Sequence, residues 1–377
     1  MVSATWEEVR ARRLTRSSLV DRASPERLVD VARDTCGLHA QVQASAELQL
    51  AARVDGVTRG DVREALWERR TLVKAWTVRG TLHLHPAGEL ALWLAARRAV
   101  AGPTAELAEW RDPAGVVHPP LGADEVHATR KAVWGALDGR CLTREELTEE
   151  VVKRVGSRPR QRLLSGFAFF LAELCQGPPQ GAKITLVRPD QWIDGWQEVD
   201  ERRALMEVSR RFLRAYGPAR PADFRDWFAS PRFKVAGARE LFDSVVGGLE
   251  EVDVEGHRAY VLPEDAAFPN ARPRVRLLPE YDPYVMGFRE REQLVTESVR
   301  AQIAAHGRGR YEGPAGIRAV VIDGLTAGLW ERKKHGKRLE LRVDPARRLT
   351  RAERADLDLE AERIGRFLEL EPALTLA

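Results

Sequence analysis

Cysteine is scarce in this chain: Cys36, Cys141 and Cys175 are the three among 377 residues, and they lie far apart. That separation excludes the paired ligand spacings of a structural zinc site, and an odd set cannot close a disulfide framework. They are expected as buried thiols of a reducing, cytoplasmic compartment. Long apolar runs are missing too; none approaches the ~20 residues that span a bilayer. Met1 to Glu8 carries no hydrophobic stretch of a secretory leader. Neither membrane insertion nor export is therefore expected. An excess of one charge is also absent: 60 Lys and Arg face 56 Asp and Glu, a formal net charge of +4. Such a balance tolerates nucleic acid without demanding it. Most of the cations are Arg, which suits bidentate phosphate contact if they line a groove. No low-complexity segment and no heptad helix of a dimerising coiled coil occurs.

What is present is a chain long enough for two to four domains, with the 44% hydrophobic content of a real core. Residues 5–20 suggest a short helix. Ser24-Pro25 opens the next, with Leu28, Val31 and Ala32 at helical spacing. Thr58 starts a further helix striped by Val62, Ala65 and Leu66. Thr71–Trp76 and Thr81–His85, broken at Val78-Arg79-Gly80, predict a β-hairpin. Helices followed by a hairpin are the order of a winged helix. The order recurs: helices over 122–137, from Thr143 (a capping box with Glu146) and over Arg160–Leu174, then a strand pair or edge over 182–193, with Lys183–Val187 as its strand. It recurs again with Glu201–Tyr216, Pro221–Trp227, Val235–Leu249 and the hairpin Glu251–Val254 and His257–Val261. A Pro-punctuated linker, Pro263–Pro273, precedes a change of texture to strands at Arg274–Leu278, Ile317–Ile322, Thr326–Glu331 and Arg338–Val343. An amphipathic helix, Arg351–Leu370, and a tail that can form a last strand close the chain. The class is α+β: three tandem winged-helix domains (1–120, 121–197 and 198–270) and a small C-terminal antiparallel β-barrel or sheet with a helix (271–377).

One stretch stands out, Gly37-Leu38-His39-Ala40-Gln41-Val42-Gln43: its Gln-apolar-Gln has no local fold value that another polar pair could not supply. Cys36-Gly37 looks like a helix end with Gly at C′, and Ser45 can cap a following helix, Ala46–Val54. His39 to Gln43 is then a partly non-helical connector. In an extended segment residues i and i+2 point the same way, so Gln41 and Gln43 would share a side. Spacing alone favours the plainer reading, two surface amides at a helix-turn-helix corner.

This stretch, together with Arg79-Gly80-Thr81-Leu82-His83-Leu84 and Leu277-Leu278-Pro279-Glu280-Tyr281-Asp282-Pro283-Tyr284, resembles the AlkZ-type DNA glycosylases. These are bacterial proteins with tandem winged helices and a C-terminal β-barrel. The resemblance covers almost the whole chain in the right order. It implies a concave DNA channel and excision of N-alkylated purines in double-stranded DNA, bulky or crosslinked genotoxin adducts included. The role it implies is base excision repair or self-resistance, near the nucleoid. Gln41 and Gln43 match the family's catalytic Gln-apolar-Gln pair; a sister branch has Asp at the second position, and this chain does not.

Two amides suit that chemistry. An N7-alkylated purine already carries positive charge and departs as a neutral base, so no general acid is required. A held water and dipoles oriented toward the forming sugar cation suffice. A Gln carbonyl accepts from water, while its NH₂ anchors on phosphate or sugar oxygen. The motif contains no Lys, so Schiff-base lyase chemistry is not expected and the enzyme would be monofunctional. No cofactor or metal is implied: His83/His85 and His118/His127 lack further ligands. His39, Arg79 and His83 are candidate channel or DNA contacts, with a backbone-bonding, turn or edge-strand role as the plainer choice. The run Arg332-Lys333-Lys334-His335-Gly336-Lys337-Arg338 straddles an expected hairpin turn, where Arg332, Lys333, Lys334 and Lys337 can meet phosphate or only solvent. Arg158, Arg160 and Arg162 are weaker candidates. Asp282 is either a second acidic participant or a cap for the turn at Pro283. A monomer is expected, since one concave surface suffices. The alternative function is a non-catalytic winged-helix transcriptional regulator; it would leave the glutamine pair without a purpose and usually needs a dimerisation element.

Overall fold

The computed structural model describes residues 2–101, 106–112, 114–165, 170, 172–230, 232–245, 247–268, 275–287, 290–306 and 316–377. The chain is mixed α+β and gathers into two compact units, one from residues 1–63, 207–227 and 235–377, the other from 64–206 and 228–234. Among the described residues no helix is long and apolar enough to cross a membrane.

In the first unit the Trp6–Arg16 helix opens with a capping box, the Thr5 hydroxyl accepting from the Glu8 amide while the Glu8 carboxylate accepts from the Thr5 amide. Ser24-Pro25 opens one 3₁₀ turn, Pro25–Arg27, that leads into the Leu28–Asp34 helix. The helices Glu201–Tyr216, Pro221–Phe228 and Val235–Asp243 follow the expected order, the last ending earlier than Leu249. The hairpin Glu250–Val254 with His257–Val261 turns at Glu255 and Gly256, with φ of 49° and 86°, the pair of positive values that a two-residue turn needs to match strand twist. The strand Val2–Ala4 went unforeseen; it adds to this hairpin in parallel, against Val252–Val254. Its three residues are too short to show a period. Val9, Leu14, Val252, Val261, Leu278, Val299 and Val321 are in one continuous core, so segments remote in sequence close on it.

The C-terminal sheet runs Arg276–Leu278, Ala319–Ile322, Leu325–His335, Arg338–Pro345, Glu371–Leu376 in that spatial order. The first four are antiparallel, but the last lies parallel to Arg338–Pro345, which corrects the all-antiparallel expectation. The cause is the helix Arg351–Leu368, capped by Thr350 and Glu353. It carries the chain back along the sheet before the last strand begins, as a parallel pair requires. Among the described residues the two outer strands of this sheet do not pair with each other. Of the expected linker, Pro263–Asp265 forms a 3₁₀ turn, and residues 269–273 lie outside the described residues, as does Arg274 of the expected strand.

In the second unit the hairpin Leu72–Trp76 with Leu82–Pro86 is present, and Leu72–Trp76 also pairs with Cys175–Gln180. Cys175–Gln180 is the hairpin partner of Lys183–Val187, which in turn pairs with Leu142–Thr143. Lys183–Val187 is thus a strand as expected, while its partner lies upstream of the window anticipated for the pair. Gly177, Pro178 and Pro179 hid its first strand, since such residues usually mark turns. Helices Ala123–Ala136 and Arg144–Val155 match expectation, and the latter has its Thr143–Glu146 capping box. The helix from Arg160 is described to Ser165; most of its expected remainder lies outside the described residues.

Candidate active site

The Leu28–Asp34 helix ends with the Gly37 amide bonded to the Ala32 carbonyl and the Cys36 amide to Arg33. Cys36, at φ 56°, occupies the left-handed position anticipated for Gly37, and Gly37 follows at φ 93°. Leu38–His39 is extended, and Gln41 and Val42 bend into a new helix, Gln43–Ala51. That helix starts three residues earlier than expected. Val42, not Ser45, is its N-cap: the Val42 carbonyl accepts from the Ser45 and Ala46 amides. Gln43 is therefore the first helical residue rather than part of an extended connector. Ser45 is fully buried in the first turn and donates its hydroxyl to the Glu280 carbonyl. Gln41 is exposed and Gln43 half-buried, while Val42 between them is 42% exposed, so its apolar side chain is not a core contribution.

Behind this corner lies a buried polar frame. Gln49 donates to the His39 carbonyl at 2.9 Å and to the Ser45 hydroxyl at 3.3 Å. The His39 ring is buried and stacks on Tyr281 with centroids 4.8 Å apart. Arg53 grips Asp282 with both terminal nitrogens, at 2.7 and 2.6 Å, and neither side chain has any exposure. A buried ion pair persists only if both partners are fully engaged. Asp282 complies by also accepting from the Tyr284 amide at the start of the Pro283–Gly287 helix. Its role is thus the cap, not a second acidic participant. The Leu277–Tyr284 stretch is so brought directly against the Gln41–Gln43 corner.

Glu47 escaped the sequence reading. It is 1% exposed, one turn after Gln43, with Gln43 Nε2 at 3.5 Å, Arg59 Nε at 3.0 Å and Arg63 Nε at 3.4 Å from its carboxylate. The available signal was spacing: Gln43 and Glu47, and Arg59 and Arg63, are each four apart and so share a helix face. Arg332 belongs to the same neighbourhood. Its guanidinium pKa is lowered by burial first and then by Arg318, against the opposing pull of Glu280, with Arg59 and Glu47 acting more weakly. Glu280 itself is held by Arg318 at 2.8 Å. The basic run does straddle a turn, between Leu325–His335 and Arg338–Pro345. Arg332 is half-buried at its base, whereas Lys333, Lys334 and Lys337 are exposed.

In the second unit His83 and His85 are buried, at 2% and 0% exposure, rather than forming the polar face of an edge strand. His85 shares a hydrogen bond with the Thr77 hydroxyl at 2.8 Å and packs 4.4 Å from Trp93; His83 Nδ1 lies 3.0 Å from the Thr81 carbonyl. Arg79 is half-buried at the bend with φ 57°. Arg162 is buried and donates to the Ala108 and Pro119 carbonyls, while Arg158 and Arg160 meet Glu125 and Glu149. His118 is engaged by Asp112 at 3.0 Å. Among the described residues no three His, Cys, Asp or Glu side chains cluster as metal ligands.

A family model described as "DNA glycosylase AlkZ-like" matches residues 32–367. An interstrand DNA cross-link repair glycosylase of Streptomyces sahachiroi is 33% identical over 345 residues, 88% of each chain. The solved structure of Streptomyces sahachiroi DNA glycosylase AlkZ superposes with a TM-score of 0.82 at 29% identity, covering 100% of both chains.

Proposed function

The chain belongs to the AlkZ-like family of DNA glycosylases, and we propose that it is a monofunctional enzyme that excises N7-alkylated purines, bulky or crosslinked adducts included, with Gln41 and Gln43 as its catalytic pair. The single observation that carries this reading is the frame behind the two amides. Buried Ser45, Gln49, Arg53, Asp282 and Glu47 hold a corner whose front consists of exposed Gln41, exposed Val42 and half-buried Gln43. Fixed dipoles are effective because they do not reorganise as charge develops. A carbonyl of the pair accepts from the attacking water, and the other amide anchors on the sugar-phosphate. The alkylated base leaves neutral, which spares undamaged purines because they lack that charge. The crosslink preference extends what the name of the 33%-identical relative states of that protein.

We assign DNA-backbone contact to Arg332, Lys333, Lys334 and Lys337, DNA contact or support to His39 in the first unit and, separately, to Arg79 and His83 in the second. The exposure of the three lysines supports phosphate contact, and the burial of His39 and His83 favours support from behind. Three winged helices are proposed over 1–120, 121–197 and 198–270, with the C-terminal sheet domain over 271–377. In support, each round of helices has its own antiparallel hairpin.

The test is single-turnover incubation with a duplex carrying one N7-alkylguanine, then alkali to cut abasic sites. Wild type is expected to cleave and Gln41→Ala/Gln43→Ala to lose most of that cleavage. Equal cleavage by both proteins would remove the glutamines from the chemistry.

A further inference from the structure

We propose that Glu47 is a positioning residue that sets which end of the Gln43 amide faces the reaction, an inference that rests on the catalytic reading of Gln43. An amide side chain can turn either its NH₂ or its carbonyl toward a neighbour, and its environment decides. Glu47 sits one turn along the same helix face, 1% exposed, with its carboxylate 3.5 Å from Gln43 Nε2. A carboxylate offers acceptors only. It therefore holds the NH₂ end toward itself and turns the carbonyl oxygen to the opposite side of the amide carbon, as an acceptor for water. At 3.5 Å the hydrogen bond is long, so the control is mostly by charge on dipole.

The carboxylate is itself held by two cations. Arg59 Nε at 3.0 Å and Arg63 Nε at 3.4 Å approach from the next helix. Those two side chains are 40% and 55% exposed, so they keep solvent when the carboxylate is removed. Glu47→Gln is thus expected to fold: it removes a buried charge and leaves no buried cation behind. It also replaces an acceptor-only group by one that can donate, so the Gln43 amide gains its second orientation.

The experiment is a double-mutant cycle on the full chain: wild type, Gln43→Ala, Glu47→Gln and the double variant. Single-turnover excision of one N7-alkylguanine and the Kd for the undamaged duplex are both measured. Glu47→Gln is expected to slow excision ~10- to 100-fold, as misplaced catalytic groups do, with Kd changed less than about twofold. On the Gln43→Ala background it is expected to change the rate less than about twofold, because a group acting through Gln43 has nothing left to position. Slow Gln43→Ala with wild-type Glu47→Gln overturns this inference alone. An equal factor on both backgrounds also overturns it, since Glu47 would then act by its own field or through the fold. Wild-type Gln43→Ala overturns the inference together with the catalytic reading beneath it. If thermal melts show Glu47→Gln unfolded, Glu47→Asp decides: the charge stays, the carboxylate retreats by one methylene, and the same background dependence is expected. A wild-type rate in that variant would sink the proposal.

Discussion

The Gln41–Gln43 corner and the Arg332–Arg338 hairpin tip are both polar, and their physics is opposite. The corner is backed by buried groups that each have a stated partner: Ser45 on Glu280, Gln49 on His39, Arg53 on Asp282 and Glu47 on Arg59 and Arg63. The tip carries exposed Lys333, Lys334, His335 and Lys337 around Gly336, which takes a turn φ of 59°. Fixed dipoles suit chemistry, where a misaligned group slows the reaction. Mobile cations suit affinity, where phosphate attracts from any angle and salt competes. Arg332 stands at the junction, half-buried and within reach of the charges of Glu280 and Glu47.

The largest effect expected from breaking this contrast is on stability. Arg53→Ala leaves Asp282 buried without its ion-pair partner and should cost ~3–5 kcal/mol in urea unfolding. A destabilisation under ~1 kcal/mol would mean the frame behind the corner is not rigid. Next, Gln41→Ala and Gln43→Ala should each lower single-turnover excision ~10²- to 10³-fold, the range for a preorganised dipole, with DNA binding kept. A parallel fall in affinity would give the corner the tip's role. Third, replacing Lys333, Lys334 and Lys337 together by Ala should reduce the slope of log affinity against log salt by up to about 0.9 for each phosphate no longer neutralised, while excision at saturating protein stays near wild type. A collapse of the saturated rate would make the tip part of the chemistry. Smallest, Lys337→Ala alone should change that slope by about 1 at most and weaken binding evenly across sequences. Sequence-dependent weakening would point to base contact instead.

Much of this was legible in advance where the signal is local. The Thr143–Glu146 box, the Glu255-Gly256 turn and the basic hairpin were readable because each depends on residues a few positions apart. The glutamine motif stood out as an amide pair with no evident local fold value, and Val42 between the two is exposed. Misjudged were features set by distant partners. The helix starts at Gln43 while Ser45, a fit cap by type, is drawn inward by the Glu280 carbonyl, 235 residues on. His83 and His85 alternate as an edge strand would, yet both are buried, with Trp93 packed against His85.

By itself, then, the sequence determined the α+β class, the order of most helices and hairpins, the family, and the two amides to examine. These follow from periodicity, caps and turns, whose energies act over one or two turns of chain. Only the tertiary structure decided that Asp282 is a buried cap and ion-pair partner, that Glu47 stands behind Gln43, and that the last strand runs parallel. Each of these depends on desolvation and pairing between segments remote in sequence, and the free energy of burying a charge is fixed by what surrounds it, not by what precedes it in the chain.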